Sequence, residues 1–165
     1  MYWFKRKYRQ IKRTLEFLPI IWKGADYDYR YSIDLFKYQL ERTADFLESD
    51  KAYSLYAKQD ASRIRTATKL MEKVYEDEYG MEHLDIIKEK YGPSNFHFVE
   101  LQELDSNGDP YCEMVESFEW DYTDSELLII AEEKTTLLWE SRAKQKRAHK
   151  ILWDFIEHNI QRWWD

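Results

Sequence analysis

Apolar residues recur at helical spacing along most of this chain and alternate with polar residues in one short stretch. The first helical pattern covers about residues 2–17, where apolar side chains fall three and four positions apart. This stripe consists of Phe4, Tyr8, Ile11, Leu15 and Leu18. Pro19 is expected to end the helix, because proline has no amide donor for the helical ladder.

The other face of this first helix is basic, with six Lys or Arg residues between positions 5 and 13. A basic amphipathic helix can lie on anionic lipid or meet nucleic acid. The regular stripe also suits internal docking, with a basic outer face that neutralises acidic parts of the chain. Of these interpretations, the sequence favours internal docking.

A second helix is predicted to run to about Glu48, with Asp26 or Asp28 as its N-cap. Apolar side chains cover much of its circumference, which indicates a central helix. The two aspartates could also be metal ligands. No histidine or third carboxylate follows at ligand spacing, so capping is the favoured interpretation.

A third helix is predicted within residues 50–79, starting near Leu55, and its face carries small residues that permit close helix packing. Gly80 is expected to break it. A short helix over residues 81–91 should then end at Gly92-Pro93. His83 and His97 have no partner at metal or triad spacing, so both are interpreted as structural or exposed.

Alternating polar and apolar residues on both sides of Asn107-Gly108 predict an antiparallel β-hairpin over about residues 95–121. Its strands are rich in glutamate. The Asp105–Asp109 segment superficially resembles a calcium loop, but the full spacing and the terminal glutamate are missing.

The last segment opens on a capping box, Thr123 with Glu126 three positions later. The apolar pattern thins over residues 140–150, where basic residues gather, and then resumes at Ile151. This segment is therefore either one long projecting helix or two helices with a break near residues 142–149. Its ending, Trp163-Trp164-Asp165, should be docked, with Trp163 packed and Trp164 covering another helix, a partner or a ligand.

These elements predict a mainly α (α+β) fold, a bundle of four to six helices with one small antiparallel β-hairpin. The 165 residues fit a single domain, with a helical core of residues 1–92 and 123–165 and the acidic hairpin as an insertion. Residues 71–133 hold 19 Asp/Glu and 3 Lys, whereas the remaining residues carry an excess of positive charge. Either the two regions neutralise each other, or a separate basic surface attracts phosphates.

Several chemistries find no support in the residues. The chain has no glycine-rich phosphate loop and no Gly-x-Ser-x-Gly motif, and Cys112 lies in a glutamate-rich strand that would disfavour its thiolate. We therefore expect no catalytic residues, no enzyme activity, no metal and no cofactor. The absence of an apolar run of about 20 residues and of a signal-peptide pattern predicts a protein without a membrane partner.

The stretch Asp26-Tyr-Asp-Tyr29, followed by Lys37 and Leu40-Glu-Arg42, resembles a family of small tailed-phage proteins of unassigned function. Arg65-Thr-Ala-Thr-Lys-Leu70 and Ile160-Gln-Arg-Trp-Trp-Asp165 resemble the next helix and the ending of that family. This chain has Tyr27 where the family has tryptophan, and it carries the long basic segment after Glu140. The resemblance implies a phage protein in the host bacterial cytoplasm and implies no reaction.

Two functions are compatible with these observations. In the favoured one, the protein is a non-catalytic counter-defence factor that sequesters a nucleotide-type or phosphorylated small ligand. Aromatic side chains would stack on a base and basic ones would hold phosphates. The candidate ligand-binding residues are Tyr27, Tyr29, Lys37, Arg42, Arg63, Arg65 and Lys69.

For Arg63, Arg65 and Lys69, ion pairing with neighbouring helices is an equal alternative. The second function is an acidic inhibitor that mimics nucleic acid and occupies a host enzyme. The candidate acids are Glu100, Glu103, Glu113, Glu116 and Glu119. Direct DNA binding is not expected at a net charge of −7. A homo-oligomer remains open.

Overall fold

The computed structural model describes residues 2–24, 28–104 and 110–164. Its helices are α1 (Tyr2–Lys23), α2 (Tyr29–Glu48), α3 (Ala57–Tyr75), α4 (Glu78–Tyr91) and α5 (Asp124–Asn159). Two strands, β1 (Ser94–Leu104) and β2 (Pro110–Phe118), form an antiparallel sheet. The prediction of a mainly α fold with one small β-hairpin is confirmed, whereas the predicted hairpin turn lies outside the described residues.

The chain divides into two compact units. The first, called here the helical unit, contains Met1–Glu76 and Ala148–Asp165; the second, the hairpin unit, contains Asp77–Arg147. The prediction of a single domain, with residues 95–121 as an insertion, stays a prediction. No helix among the described residues is long and apolar enough to cross a bilayer.

The core of the helical unit forms where α2 and α3 lie side by side. Leu40 and Ala44 of α2 are buried, as are Ala61 and Ile64 of α3. The alanines let the two backbones approach closely, as their spacing predicts. Leu152 and Ile156 near the end of α5 and Trp163 beyond it are also buried. Asp28 caps α2, accepting a hydrogen bond of 2.8 Å from the amide of Arg30, which confirms one of the two predicted caps.

Polar contacts link the elements of the hairpin unit. Its buried hydrophobic side chains among the described residues are Ile87 and Ile130. Glu133 of α5 accepts hydrogen bonds from Lys90 Nζ at 2.6 Å and Tyr91 Oη at 2.5 Å. Lys134 Nζ lies 2.5 Å from Glu116, which ties α5 to β2. The predicted capping box at the start of α5 is confirmed, with the Thr123 amide donating to Glu126 at 2.8 Å.

Two predicted helix ends are wrong. Helix α1 continues through Pro19 to Lys23. Pro19 leaves the carbonyl of Leu15 without its helical donor, and Leu15 is exposed, so this part of the helix is open to water. Gly80 lies inside α4; the break falls at Glu76 and Asp77, where Asp77 adopts a left-handed conformation with φ of 57°. Aspartate tolerates this conformation better than most residues.

Two further expectations are resolved. Helix α5 is continuous over 36 residues, so the alternative of a break near residues 142–149 is wrong. The stripe of α1 is not docked internally, because Phe4, Tyr8, Ile11, Leu15 and Leu18 are all exposed. The regular spacing was correctly interpreted as helical, but spacing does not specify what covers the apolar face. His83 is buried and hydrogen-bonded to the Gly80 carbonyl at 2.9 Å, while His97 is exposed, as predicted.

Candidate functional site

Most of the predicted ligand-binding residues take part in ion pairs between or within helices. Helices α2 and α3 are linked by the pairs Arg30–Glu76, Lys37–Glu72 at 3.4 Å and Arg65–Asp45 at 2.5 Å. As the residue number in α2 rises, the number of its partner in or directly after α3 falls. The two helices therefore run antiparallel. The pairs therefore form a ladder along the helix contact.

Arg65 and Arg42 are the most strongly engaged of these residues. Arg65 also contacts Glu48 at 2.9 Å, and hydrogen bonds to Glu48 and Asp45 raise the pKa of Arg65 above its ordinary value. Arg42 lies 2.6 Å from Glu16 and over the ring of Phe17, 5.1 Å from its centroid. Both guanidinium groups would have to exchange a carboxylate for an incoming phosphate.

The remaining predicted residues are spread along the same helices. Tyr29 is exposed at the start of α2, with its ring centroid 6.3 Å from that of Tyr75. Arg63 contacts buried Asp60 at 2.9 Å, and Lys69 is exposed on α3. Tyr27 lies outside the described residues. Arg65 pairs with carboxylates of the neighbouring helix α2, as the ion-pair interpretation predicts, whereas Arg63 pairs within its own helix. A ligand site at these residues stays a prediction.

An aromatic cavity of about 370 Å³ lies instead beside the C-terminal end of α2. Its volume falls in the range of small-molecule sites. The cavity wall comes from the end of α2, the following loop and the C-terminal turn. The lining residues are Thr43, Phe46, Leu47, Lys51, Ala52, Tyr53, Ser54, Trp163 and Trp164. We call this space the aromatic cavity.

The loop that forms one wall is shaped by the C-cap of α2. Ser49 is the C-cap residue. Its amide, at 3.1 Å, and its hydroxyl, at 2.6 Å, both donate to the Phe46 carbonyl. The amide of Lys51 then donates to the Ser49 hydroxyl at 3.3 Å, which turns the chain back. This turn leaves Tyr53 almost fully exposed at the cavity.

The C-terminal turn, which forms another part of the wall, is fixed by two contacts. The Trp163 amide donates to the Asn159 carbonyl at 3.2 Å, which continues the path of α5 for one turn. Arg162 Nε lies 3.2 Å from buried Asp60 at the start of α3, and its guanidinium lies over the Tyr56 ring. These contacts place one indole in the core and leave the next, Trp164, beside the cavity.

Trp163 carries an unusual group. Its side chain is buried, and its indole Nε1 has no hydrogen-bond partner among the described residues. A buried donor without an acceptor costs about 1–3 kcal/mol. Trp163 lines the aromatic cavity, but its Nε1 is shielded from solvent, so this donor does not face the open cavity space. Lys51 is the charged residue of the lining, and it has no ion pair among the described residues.

Sequence reasoning singled out the Trp pair but missed Lys51 and Tyr53. Neither belongs to a periodic apolar pattern, and the loop after Ser49 gives no motif. The signal that could have found them is a lysine and a tyrosine in a short connection directly after a helix whose last turn carries an aromatic residue, Phe46.

No protein-family model matches this chain, and neither a curated protein nor a solved structure shows significant similarity to it. The resemblance to small tailed-phage proteins therefore remains a prediction from the sequence. Among the described residues, no group of three or more His, Cys, Asp or Glu is arranged to hold a metal ion.

Proposed function

We propose that this protein is a non-catalytic phage counter-defence factor that binds and sequesters a nucleotide-type or phosphorylated small ligand in the host bacterial cytoplasm. The observation that carries this proposal is the aromatic cavity, whose lining combines the rings of Phe46, Tyr53 and Trp164 with the ammonium-bearing side chain of Lys51. A heterocyclic base has π faces, on which aromatic side chains such as those of this cavity stack.

In this proposal, separate residues bind separate parts of the ligand. The half-exposed ring of Trp164 and the exposed ring of Tyr53 would stack on the base. The side chain of Trp163 would bound the cavity beside the base, and Lys51 at the cavity would meet a phosphate. Sequestration requires binding alone, so these groups suffice without a nucleophile or a general base.

A thermal-shift panel of cyclic and linear nucleotides tests this function. A ligand present at 100 times its Kd stabilises the folded state by about 2.7 kcal/mol, which raises the Tm by roughly 5–10 °C for a chain of this size. Lys51→Met should reduce the shift for phosphorylated ligands. Lys58→Met, an exposed lysine of α3 outside the cavity lining, is the matched control and should leave it unchanged.

The proposal fails if no nucleotide in the panel shifts the Tm of the wild-type protein. It also fails if Lys51→Met and Lys58→Met respond to a shifting nucleotide as the wild type does, because the ligand would then bind elsewhere.

A second function is favoured by one observation on the hairpin unit. Glu100, Glu103, Glu113 and Glu119 are exposed on and directly after the two strands, whereas Glu116 is paired with Lys134. Free carboxylates along a hairpin suit an inhibitor that mimics nucleic acid. This function predicts capture of a host nucleic-acid enzyme that duplex DNA displaces. Conversion of the four exposed glutamates to glutamine should abolish that capture, and unchanged capture would reject the mimic.

A further inference from the structure

The apolar stripe of α1 faces away from α2, the helix with which α1 is in contact. The attachment uses Glu16 and Phe17: Tyr38 Oη donates to the Glu16 carbonyl at 2.9 Å, and the Phe17 and Tyr38 rings meet edge to face at 5.1 Å. At 100° per residue, the stripe lies on the opposite side of α1. Trp22 extends the stripe and is 85% exposed.

The first half of α1 has no cover on any side within the described chain. Every residue from Trp3 to Leu15 is exposed. An isolated helix of this length is marginal in water, and helical stability in proteins comes mainly from packing of the apolar face. A contiguous exposed apolar strip also marks an interaction surface. A binding partner is therefore expected to cover the stripe.

The charges around the stripe select the chemistry of that partner. Six Lys or Arg residues lie between positions 5 and 13, and the first acidic residue of the helix is Glu16. Helical geometry places Lys7 on one flank of the stripe and Lys12 on the other. The partner must therefore combine an apolar region with a dense negative charge at its border.

We propose that α1 lies in the interface of an anionic lipid bilayer, with its apolar stripe in the acyl boundary and its flanking lysines at the headgroup phosphates. Lysine stems can reach outward from such a depth, and Trp3 and Trp22 suit the same interface. Pairing of two α1 stripes would instead bring two basic rows together, and nucleic acid would leave the stripe uncovered. The proposal is independent of the function proposed for the aromatic cavity.

This surface association needs no membrane-spanning helix. It extends the set of partners beyond the expectation of no membrane partner, which rested on the absence of a long apolar run and of a signal-peptide pattern. The separate interpretation of the stripe favoured internal docking. Exposure of the stripe removes that interpretation.

Co-sedimentation with lipid vesicles tests the proposal. The full-length protein should sediment with vesicles that contain phosphatidylglycerol, and at least tenfold less with pure phosphatidylcholine. The variant Ile11→Ser/Leu15→Ser removes two stripe residues and should lower the partition coefficient at least tenfold. The matched control Gln10→Ser/Thr14→Ser also introduces two serines and leaves the charge unchanged, but at exposed positions outside the stripe. It should bind as the wild type does.

Circular dichroism checks that both variants stay folded, which is expected because all four positions are exposed. Failure of the wild type to bind phosphatidylglycerol vesicles overturns the proposal, as does equal binding of the two variants. Light scattering that shows an oligomer in the wild type and a monomer in Ile11→Ser/Leu15→Ser also overturns it, in favour of a second copy on the stripe.

Discussion

Trp163 and Trp164 are consecutive residues with opposite environments: the first is 3% exposed and the second is 51% exposed. Trp163 contacts the ring of Phe155, with 6.3 Å between the centroids, and closes the core of the helical unit. Trp164 projects in a different direction and lines the aromatic cavity beside it. Trp163 thus packs in the core of the unit, and the adjacent Trp164 forms part of the wall of the candidate site.

This difference predicts unequal costs for truncating the two indoles. Trp163→Ala should lower the free energy of unfolding by about 3–5 kcal/mol, because it opens a large cavity in a packed core. Trp164→Ala should cost less than about 1 kcal/mol, because much of that side chain is already in water. Urea denaturation of both variants measures the two values. Equal losses would mean that both indoles pack alike.

Gly92, between α4 and β1, predicts a second stability effect. Its φ of 79° and ψ of 174° lie in a region that is nearly restricted to glycine. A Cβ at this position would also lie 3.0 Å from the Trp120 ring. Gly92→Ala should therefore destabilise the hairpin unit by about 1–3 kcal/mol. Amide hydrogen exchange in β1 and β2 reports this loss, and the exposed Asn95→Ala serves as a control. Unchanged exchange in Gly92→Ala would show that the backbone relaxes freely.

Glu133 predicts a pH dependence of the hairpin unit. Hydrogen bonds from Lys90 and Tyr91 lower the pKa of Glu133 below its ordinary value of 4.5. The unfolded chain therefore binds the proton more readily than the folded one. The stabilisation is present above pH 4.5 and is lost as the pH falls through the lowered folded pKa.

Glu133→Gln should accordingly lower the Tm at pH 7, because the amide is a weaker partner for the Lys90 ammonium. The Tm difference from the wild type should shrink as the pH falls below 4.5. Calorimetry at a series of pH values measures it. Glu132→Gln, an exposed neighbour, is the control. A Tm difference that does not change with pH would show that the negative charge of Glu133 does not contribute to the stabilisation.

The elements themselves could be predicted from the sequence, because each carries its own periodicity. The α2 and α3 faces, the hairpin and the Thr123 capping box all follow from local rules that the structure obeys. The ends were harder to predict. Helix α1 continues through the exposed Pro19, and α3 ends before Asp77 although Gly80 is the stronger local signal.

Tertiary partners explain what the sequence could not supply. Arg65 pairs with Asp45. The sequence could not distinguish this ion pair from an available anion site, because the fold decides which carboxylates lie near the guanidinium. The stripe of α1 has the spacing of a core helix and yet remains uncovered, because periodicity describes a face and not its partner. Lys51 and Tyr53 reach the candidate site only through the turn that follows Ser49.

The most direct measurement of ligand sequestration is mass spectrometry of the small molecules released from natively purified protein. Wild-type protein and Trp164→Ala would be expressed in the bacterial host, purified in parallel and denatured. The wild type should release a nucleotide-type or phosphorylated compound in near-stoichiometric amount, and Trp164→Ala should release little of it. Release of no such compound by the wild type, or equal release by both proteins, would contradict binding in the aromatic cavity.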